Sequence, residues 1–371
     1  MWAEVDLDAV RTNVEVIAAH VAPARVLAVV KADAYGHGAV EVSRAALEAG
    51  ASWLGVALVE EGVRLRDAGI LAPILLLSEP VDGAAPVVVA NALTPVVYTP
   101  AAVEALAKAV ASSGRGEPLE VHLKVDTGMH RVGCDADDAV DLARLVAQHA
   151  ELRLGGVCTH LAVADEPSNP YTSVQLTRFD AVLRDLAEAG HHPGLVHAAN
   201  TAAGIAVPGS RYDMVRAGIG IYGIAPSAEV DGMVPLRPAM AVKARVSHVK
   251  TLPAGSRLSY GLRYELSSDA RVATVPVGYA DGVPRSLGHS GGEVLVRGVR
   301  RPIAGTVTMD QLMVDVGDLP VEPGEEVVVI GRQGDEEVSA AEWAALVGTI
   351  AYEIVCGFGP RVPRRYLGRR A

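Results

Sequence analysis

The sequence predicts an α/β fold in which an N-terminal (β/α)8 barrel is followed by a mostly β C-terminal domain. In the first part of the chain, short apolar runs without polar alternation are separated by segments of helical periodicity, which is typical of a parallel sheet covered on both faces. Eight such runs suit a closed barrel. A doubly wound open sheet has the same periodicity and stays open as an alternative. The apolar runs span residues 26–30, 53–56, 74–77, 96–98, 121–125, 156–158, 195–198 and 214–215, and helical segments between them include 39–48, 101–111, 137–149 and 176–189.

The pattern changes after about residue 235, where strands joined by Gly and Pro turns replace the alternation of strand and helix. This is typical of a mostly β domain. One short helix is predicted over 339–347, with Ser339 as its N-cap and Glu342 completing a capping box. We therefore divide the chain into a barrel domain, 1–235, and a β domain, 236–371, with the extreme N-terminal strand free to pack with the β domain. The predicted strands span residues 242–251, 270–277, 293–296, 311–316 and 326–330.

The composition excludes several classes of protein. The chain has 371 residues, is 50% hydrophobic and carries a formal net charge of -11. This charge repels nucleic acid and acidic membrane surfaces, so an anionic ligand needs local cations and backbone N–H groups. Three cysteines without metal-binding spacing predict a cytoplasmic protein with no metal site. The acidic N-terminus does not resemble a signal peptide. The uncharged stretch 84–103 contains three prolines, which favours a buried strand with flanking turns over a membrane helix.

Polar side chains follow many of the predicted barrel strands, at the edge where barrels carry their reactive groups. Each residue alone has an ordinary explanation, because a lysine after a strand is usually a surface residue with a buried stem. Their occurrence at several strand ends, however, predicts one shared site. These residues are Lys31, Lys124, Arg131, His160, Asn200, Thr201 and Arg216.

One further segment is AVVKADAYGHG (28–38), which resembles the pyridoxal-phosphate attachment segment of alanine racemases. Other segments that match this family are distributed over essentially the whole chain. The resemblance implies the barrel, the β domain and a homodimer with active sites shared between subunits. The further segments are HLKVDTGMHRVG (122–133), THLA (159–162), HAANT (197–201), MVRAGIGIYG (214–223), LSYG (258–261), VGYADG (277–282), TMDQ (308–311), YE (352–353) and RVPR (361–364).

The resemblance also implies a cofactor and two bases. Pyridoxal 5′-phosphate would be held as a Schiff base on Lys31, whose freed amine would take the α-proton of the D-enantiomer. Tyr260, reaching in from the other subunit, would take the proton of the L-enantiomer. A free phenol has a pKa near ~10, so this role needs a cationic or hydrogen-bonded environment. Arg216 would face the pyridine nitrogen without giving up its proton, supported by a hydrogen bond to His160.

The phosphate of the cofactor is expected in the loops after the seventh and eighth strands, where barrels often bind phosphate. Thr201 and Gly218 follow those strands, so position and resemblance agree. Thr201 replaces the serine that is more usual in the family, and both residues offer a hydroxyl. The resemblance implies a cradle of Tyr35, Thr201, Tyr352 and the backbone N–H groups of Gly218 and Ile219, with Asn200 orienting the ring side.

The remaining site residues concern the substrate. Arg131 is expected to clamp its carboxylate or to position Tyr260. By resemblance, Met309 and Asp310 of the second subunit line the substrate site. Tyr279 and Tyr352 are expected to narrow the entrance, which favours small side chains. Lys124 matches a lysine that is carbamylated in many family members, and an unmodified lysine in a salt bridge is the alternative. His130 and Thr308 depart from the residue types that are common in the family, at positions that affect the local shape of the pocket.

The expected activity is the interconversion of L-alanine and D-alanine, which would supply D-alanine for peptidoglycan. A racemase of serine or of broad specificity on the same scaffold is the enzymatic alternative. A non-catalytic carrier of pyridoxal phosphate is an alternative of a different class, although it would not need Tyr260. Without the resemblance, a barrel lyase that forms a lysine Schiff base with a sugar phosphate is a third hypothesis.

Overall fold

The computed structural model describes residues 1–81 and 83–368. The chain begins with strand β1 (Trp2–Asp6) and helix Leu7–Val21. It forms two compact units, which we call the barrel unit and the β unit. The barrel unit comprises Val10–Ala34 and Ala39–Arg237, and the β unit comprises Met1–Ala9, Tyr35–Gly38 and the chain from Pro238 onward. The predicted domain limits, 1–235 and 236–371, remain a proposal.

The barrel unit contains eight parallel strands in the order β8-β7-β6-β5-β4-β3-β2-β9. Two backbone hydrogen bonds join the outer strands, from Asp213 N–H to Val196 O and from Arg216 N–H to Ala199 O, each 3.0 Å long. Because these bonds close the sheet, the predicted (β/α)8 barrel is confirmed and the open sheet is wrong. The strands are β2 (Arg25–Val29), β3 (Trp53–Val56), β4 (Ile74–Leu76), β5 (Thr94–Val97), β6 (Leu119–Lys124), β7 (Leu152–Cys158), β8 (Leu195–His197) and β9 (Met214–Ala217).

Helices connect the strands and cover the outer face of the barrel strands. The residues of β3, β4 and β5 are all buried, which explains why these strands lack polar alternation. The predicted strand with flanking turns over 84–103 is only partly right, since helix Ala85–Ala90 precedes β5 and tolerates Pro86 in its first turn. The other helices are Ala39–Glu48, Val59–Asp67, Pro100–Ser113, Ala139–Gln148, Tyr171–Glu188 and Thr201–Ala206.

The β unit is built on a sheet in the order β16-β15-β18-β10-β1-β20, with β19 paired to β18. Strand β1 pairs antiparallel with β10 and parallel with β20. A three-stranded sheet, β11-β14-β17, and a short hairpin, β12-β13, complete the unit. The strands are β10 (Met240–Arg245), β11 (His248–Leu252), β12 (Arg257–Leu258), β13 (Tyr264–Glu265), β14 (Ala270–Val275), β15 (Glu293–Val296), β16 (Val299–Pro302), β17 (Leu312–Gly317), β18 (Glu326–Gln333), β19 (Glu336–Val338) and β20 (Arg364–Leu367).

Two helices follow β19, Ala340–Val347 and Ala351–Gly357. The Ser339 hydroxyl caps the first helix by accepting a bond of 3.0 Å from Glu342 N–H. The predicted capping box is wrong, because the Glu342 carboxylate accepts a hydrogen bond from Arg300 instead of reaching back to the cap. Within residues 1–81 and 83–368, no single helix is long and apolar enough to cross a membrane. By length and composition alone this helix pair qualifies when taken together, but it is bent by 108°.

Candidate active site

Lys31 lies just beyond strand β2 and begins a left-handed turn. Ala32, Asp33 and Ala34 have φ of 52°, 51° and 55° and ψ of 49°, 47° and 51°. Left-handed backbone costs an L-residue roughly 1–2 kcal/mol, so neighbouring contacts must hold this turn. Strained backbone of this kind concentrates at functional sites. The sequence does not signal it, because Ala, Asp and Tyr have no strong preference for left-handed backbone in succession.

Lys124, the last residue of β6, is buried, and its ammonium group donates a hydrogen bond of 3.1 Å to Leu77 O. Burial lowers its pKa to about 8; the neighbouring Cys158 opposes the shift, and the positive charges of Arg216, Arg131 and Lys31 add to it. Four of the predicted cations therefore influence one another at one end of the barrel. In a chain of negative net charge, such a cluster is a local binding site for an anion.

Arg216 on β9 is buried, and its two terminal nitrogens make five hydrogen bonds. The acceptors are the carbonyl oxygens of Thr159, His197 and Ala198 and the Nδ1 atoms of His160 and His197, at 2.8–3.1 Å. In the described part of the chain, the remaining donor, Nε, has no hydrogen-bond partner. A guanidinium held in this way is fixed in orientation and keeps one N–H, on Nε, available to an acceptor.

A chain of hydrogen bonds, absent from the sequence prediction, runs from Arg216 through the barrel interior. His197 Nδ1 accepts from Arg216, so the proton of this ring lies on Nε2, which donates to His122 Nδ1 at 2.9 Å. His122 Nε2 then donates to Glu120 at 3.4 Å, and Glu120 pairs with Arg153 at the surface. One sequence feature could have predicted this chain: Glu120, His122 and Lys124 occupy alternate positions of β6 and therefore share one face of the strand.

Both histidines that contact Arg216 are held neutral. Burial lowers the pKa of His160 and of His197 well below the ordinary value, and the positive charge of Arg216 adds to the shift. A neutral imidazole can accept the guanidinium N–H bond, whereas an imidazolium cannot. The buried environment therefore keeps each ring able to hold Arg216.

The loops after β8 and β9 contact each other through Thr201. Its hydroxyl accepts a hydrogen bond of 2.8 Å from Gly218 N–H, and Asn200 caps helix Thr201–Ala206 through Ala203 N–H at 3.0 Å. A Cβ on Gly220 would lie only 2.6 Å from the Thr201 methyl group, so this glycine permits the close approach of the two loops. Ile219 begins a short 3-10 helix, Ile219–Tyr222, whose first N–H groups have no partner within the helix.

The loop that carries Arg131 is organised by Asp126. One carboxylate oxygen accepts the backbone N–H groups of Gly128, Met129 and His130 at 2.9–3.1 Å. The Arg131 side chain follows this turn at an exposed position. The turn fixes where Arg131 leaves the barrel edge.

In the β unit, one pocket of about 520 Å³ gathers four of the predicted substrate residues. Tyr260, Tyr279, Met309 and Asp310 all line it. Tyr260 is 71% exposed. Asp310 is fixed by an ion pair of 2.7 Å with Arg361.

Tyr35 and Tyr352 form a second group in the β unit, with ring centroids 6.0 Å apart. Burial raises the pKa of the Tyr35 phenol, so it stays protonated at neutral pH and can donate a hydrogen bond. The predicted site residues thus form one group in the barrel unit and two in the β unit. Among the described residues, no cluster of three or more His, Cys, Asp or Glu side chains could hold a metal ion.

Comparison with known proteins decides the family. The family model of the alanine racemase N-terminal domain matches residues 5–226, and that of the alanine racemase C-terminal domain matches residues 239–366. The chain belongs to the alanine racemase family. The family predicted from the sequence is therefore confirmed, and so is its isomerase class.

Individual relatives and solved structures are similar to this chain over nearly its full length. An alanine racemase of Symbiobacterium thermophilum is 50% identical, with 100% of this chain and 98% of the relative covered. The crystal structure of alanine racemase from D-cycloserine-producing Streptomyces lavendulae has a TM-score of 0.94 at 42% identity, covering 100% of this chain and 97% of that one. A histidine racemase of Leuconostoc mesenteroides has a TM-score of 0.90 at 32% identity, covering 99% and 98%. Racemases of different amino acids thus share this fold.

Proposed function

We propose that the chain racemises alanine, using Lys31 and Tyr260 as the two groups that move the α-proton on opposite faces of the substrate. The observation that carries the proposal is the cluster of Lys31, Lys124, Arg131 and Arg216 at one end of the barrel, because it gathers an amine and three further cations where an anionic ligand would lie. Racemisation requires that the proton leave one face of the α-carbon and return to the other. Two separate groups accomplish this without moving the substrate.

The residues of the barrel unit fit pyridoxal 5′-phosphate, the cofactor implied by the family. When bound, it delocalises the negative charge that remains on the α-carbon after proton removal. Lys31 supplies the amine for covalent attachment, and Arg216 Nε is a spare donor for an acceptor ring nitrogen. The loops after β8 and β9 lie where barrels bind phosphate. Gly218 N–H donates to the Thr201 hydroxyl, and the N–H of Ile219, at the start of the 3-10 helix, is the backbone donor proposed for the phosphate.

Arg216 is also proposed to keep the ring nitrogen of the cofactor unprotonated. The guanidinium donates a hydrogen bond but keeps its proton, so the nitrogen that it faces stays uncharged. Five hydrogen bonds on its terminal nitrogens prevent the side chain from turning away. We infer that this favours return of the proton to the α-carbon over its transfer elsewhere.

Arg131 is proposed to bind the substrate carboxylate or to position Tyr260. Tyr260, Tyr279, Met309 and Asp310 are proposed to act on the substrate from the partner protomer of a homodimer. The exposure of Tyr260 supports this, since its phenol is open to another molecule. The roles of Tyr35, Asn200 and Tyr352 toward the cofactor remain predictions of the resemblance, and so do cytoplasmic location and the supply of D-alanine for peptidoglycan.

The direct test is the optical rotation of L-alanine over time, with and without added pyridoxal phosphate. We expect rotation to decay to zero with the cofactor, and Lys31→Ala to abolish the decay. Lys108→Ala, which removes an exposed lysine of helix Pro100–Ser113, is the matched control, and its optical rotation should decay as in the wild type. Undiminished rotation with the loaded wild-type protein would refute the proposal.

Substrate range needs a separate measurement, because a histidine racemase shares the fold. Initial rates with alanine, serine, lysine, arginine and histidine should be highest for alanine. Tyr279 and Tyr352 are proposed to narrow the entrance to the site, which would favour a small side chain. A higher kcat/KM for serine or a basic amino acid would favour the broad-specificity alternative. If the protein bound the cofactor but turned over none of the five amino acids, the non-catalytic carrier of pyridoxal phosphate would be favoured.

A further inference from the structure

The turn after Lys31 is held by the neighbouring helix, Val59–Asp67. Ala32, Asp33, Ala34 and Tyr35 all have φ between 51° and 55°, which is disfavoured for side chains with a Cβ. No glycine occurs among these four residues to relieve the strain. The conformation therefore depends on contacts from outside the turn.

Glu61 supplies the first contact. One of its carboxylate oxygens, Oε1, accepts a hydrogen bond of 2.6 Å from Ala32 N–H. The other, Oε2, accepts from Ala57 N–H at 2.8 Å and from Leu58 N–H at 3.1 Å. Reaching back to Leu58 is ordinary helix capping by a third-position glutamate. The bond from Ala32 N–H is not part of this capping, because Ala32 follows β2 whereas Leu58 follows β3.

Asp33 supplies the second contact, again to the same helix. One of its oxygens accepts a hydrogen bond of 3.0 Å from Ala39 N–H and pairs with Arg64 at 2.9 Å. Glu61 and Arg64 thus hold two successive residues of the turn from one helix. The Arg64 side chain is 61% exposed, so Glu61 provides the better ordered of the two contacts.

We propose that Glu61 is a positioning residue that holds the left-handed turn and so places the Lys31 amine for covalent capture of an aldehyde cofactor. In that step a bond forms between Lys31 Nζ and the aldehyde carbon, and the aldehyde oxygen leaves as water. The proposal rests on the proposed function, in which Lys31 is the attachment site. Glu61 acts through the backbone of Ala32 and touches neither cofactor nor substrate.

Glu61→Gln tests this with minimal change in shape. A glutamine has one oxygen and one NH2 group, so it can no longer accept N–H groups on both sides. Glu60→Gln is the matched control. It removes the same charge at the adjacent, exposed position, where the described residues offer no hydrogen bond to its carboxylate.

Two measurements apply to each variant. In cofactor-free protein, amide hydrogen exchange of a peptide containing Ala32 should be faster in E61Q and unchanged in E60Q. After addition of pyridoxal phosphate, borohydride trapping followed by mass analysis of the Lys31 peptide should show capture slowed by about tenfold in E61Q, as expected for loss of a charge-assisted hydrogen bond. Arg64→Gln, which alters only an exposed side chain, should slow capture by a smaller factor.

A rescue separates positioning from helix capping. Ala32 is exposed, and glycine adopts positive φ without strain. Ala32→Gly should therefore restore part of the capture rate in the E61Q background. If E61Q melts at a lower temperature but captures the aldehyde as fast as wild type, or if A32G restores nothing, Glu61 is only a helix cap. If wild-type protein forms no adduct at Lys31, the proposed function fails instead, whatever the exchange data show.

Discussion

Arg216 donates two hydrogen bonds to the same residue, one to His197 Nδ1 at 2.9 Å and one to His197 O at 3.0 Å. The side chain and the backbone of β8 therefore fix the guanidinium together. His197 can accept the first bond only while its Nδ1 is unprotonated. The orientation of Arg216 thus depends on the charge state of a ring buried inside the barrel.

This dependence predicts a loss of stability in mild acid. The folded-state pKa values of His160 and His197 lie well below their ordinary value of 6.5, chiefly because of burial. Below pH 6.5 the unfolded chain binds protons that the folded chain does not, so the free energy of unfolding falls as the pH falls. Each histidine adds up to about 1.4 kcal/mol per pH unit to this slope. Urea unfolding of cofactor-free protein between pH 7 and pH 5 measures it.

His197→Asn identifies the source of the slope. The Oδ1 atom of asparagine takes the place of His197 Nδ1 and can still accept from Arg216, but asparagine does not titrate, so the pH dependence of the free energy of unfolding should become shallower. His248→Asn, at an exposed position on β11, should leave the slope unchanged. A slope that is equal in wild type and H197N would show that His197 does not contribute.

Thr201 permits a prediction about the contact between the two loops that follow β8 and β9. Thr201→Val keeps the shape but removes the hydroxyl that accepts from Gly218 N–H, leaving a buried donor without a partner. We expect the free energy of unfolding to fall by about 1–3 kcal/mol. Thr201→Ser retains the hydroxyl acceptor, so its free energy of unfolding should fall by less. Equal losses in the two variants would indicate that the methyl group, and not the hydroxyl, stabilises the contact.

The fold was predictable because burial on both faces of the sheet leaves a clear trace in the sequence. Strands such as β3 and β4 are continuously apolar, and the polar residues at or just beyond the carboxyl ends of β2, β6, β7 and β9 meet at one end of the barrel once the strands are parallel. The position of the cationic cluster follows from that regularity alone. Local signals of this kind depend on only a few neighbouring residues.

The features that the sequence did not predict depend on contacts distant in the chain. The left-handed turn at Ala32 requires Glu61, 29 residues later, and a local pattern of Ala, Asp and Tyr gives no sign of it. The chain from His197 to His122 joins residues 75 positions apart. The capping box at Ser339 failed for the same reason, since Arg300 binds the carboxylate that local rules assign to the cap.

Lys124 is predicted to react with carbon dioxide. Because burial lowers its pKa to about 8, a large fraction of the amine is unprotonated, and therefore nucleophilic, under mildly alkaline conditions. Carbamylation would replace a cation by an anion among Lys31, Arg131 and Arg216, which relieves their mutual repulsion. Isotopically labelled bicarbonate should give one carbamate signal by NMR. The signal should disappear in Lys124→Gln and persist in Lys108→Gln, an exposed control; persistence in K124Q would place the modification elsewhere.

Tyr260→Phe tests whether two different groups move the α-proton. Racemisation in both directions should fall together, by about 10²–10⁴-fold, because the equilibrium between enantiomers cannot change and each direction needs both groups. Exchange of the α-proton with deuterated solvent separates the two faces. D-alanine should still exchange through Lys31, whereas exchange from L-alanine should stop. Tyr212→Phe is the control. It removes a phenol that donates a hydrogen bond of 2.7 Å to Asp180 and has no proposed role in the reaction, so both exchanges should remain intact. If L-alanine exchanged at the wild-type rate in Y260F, the proton on that face would be carried by another group, and the exposed position of Tyr260 would need a different explanation.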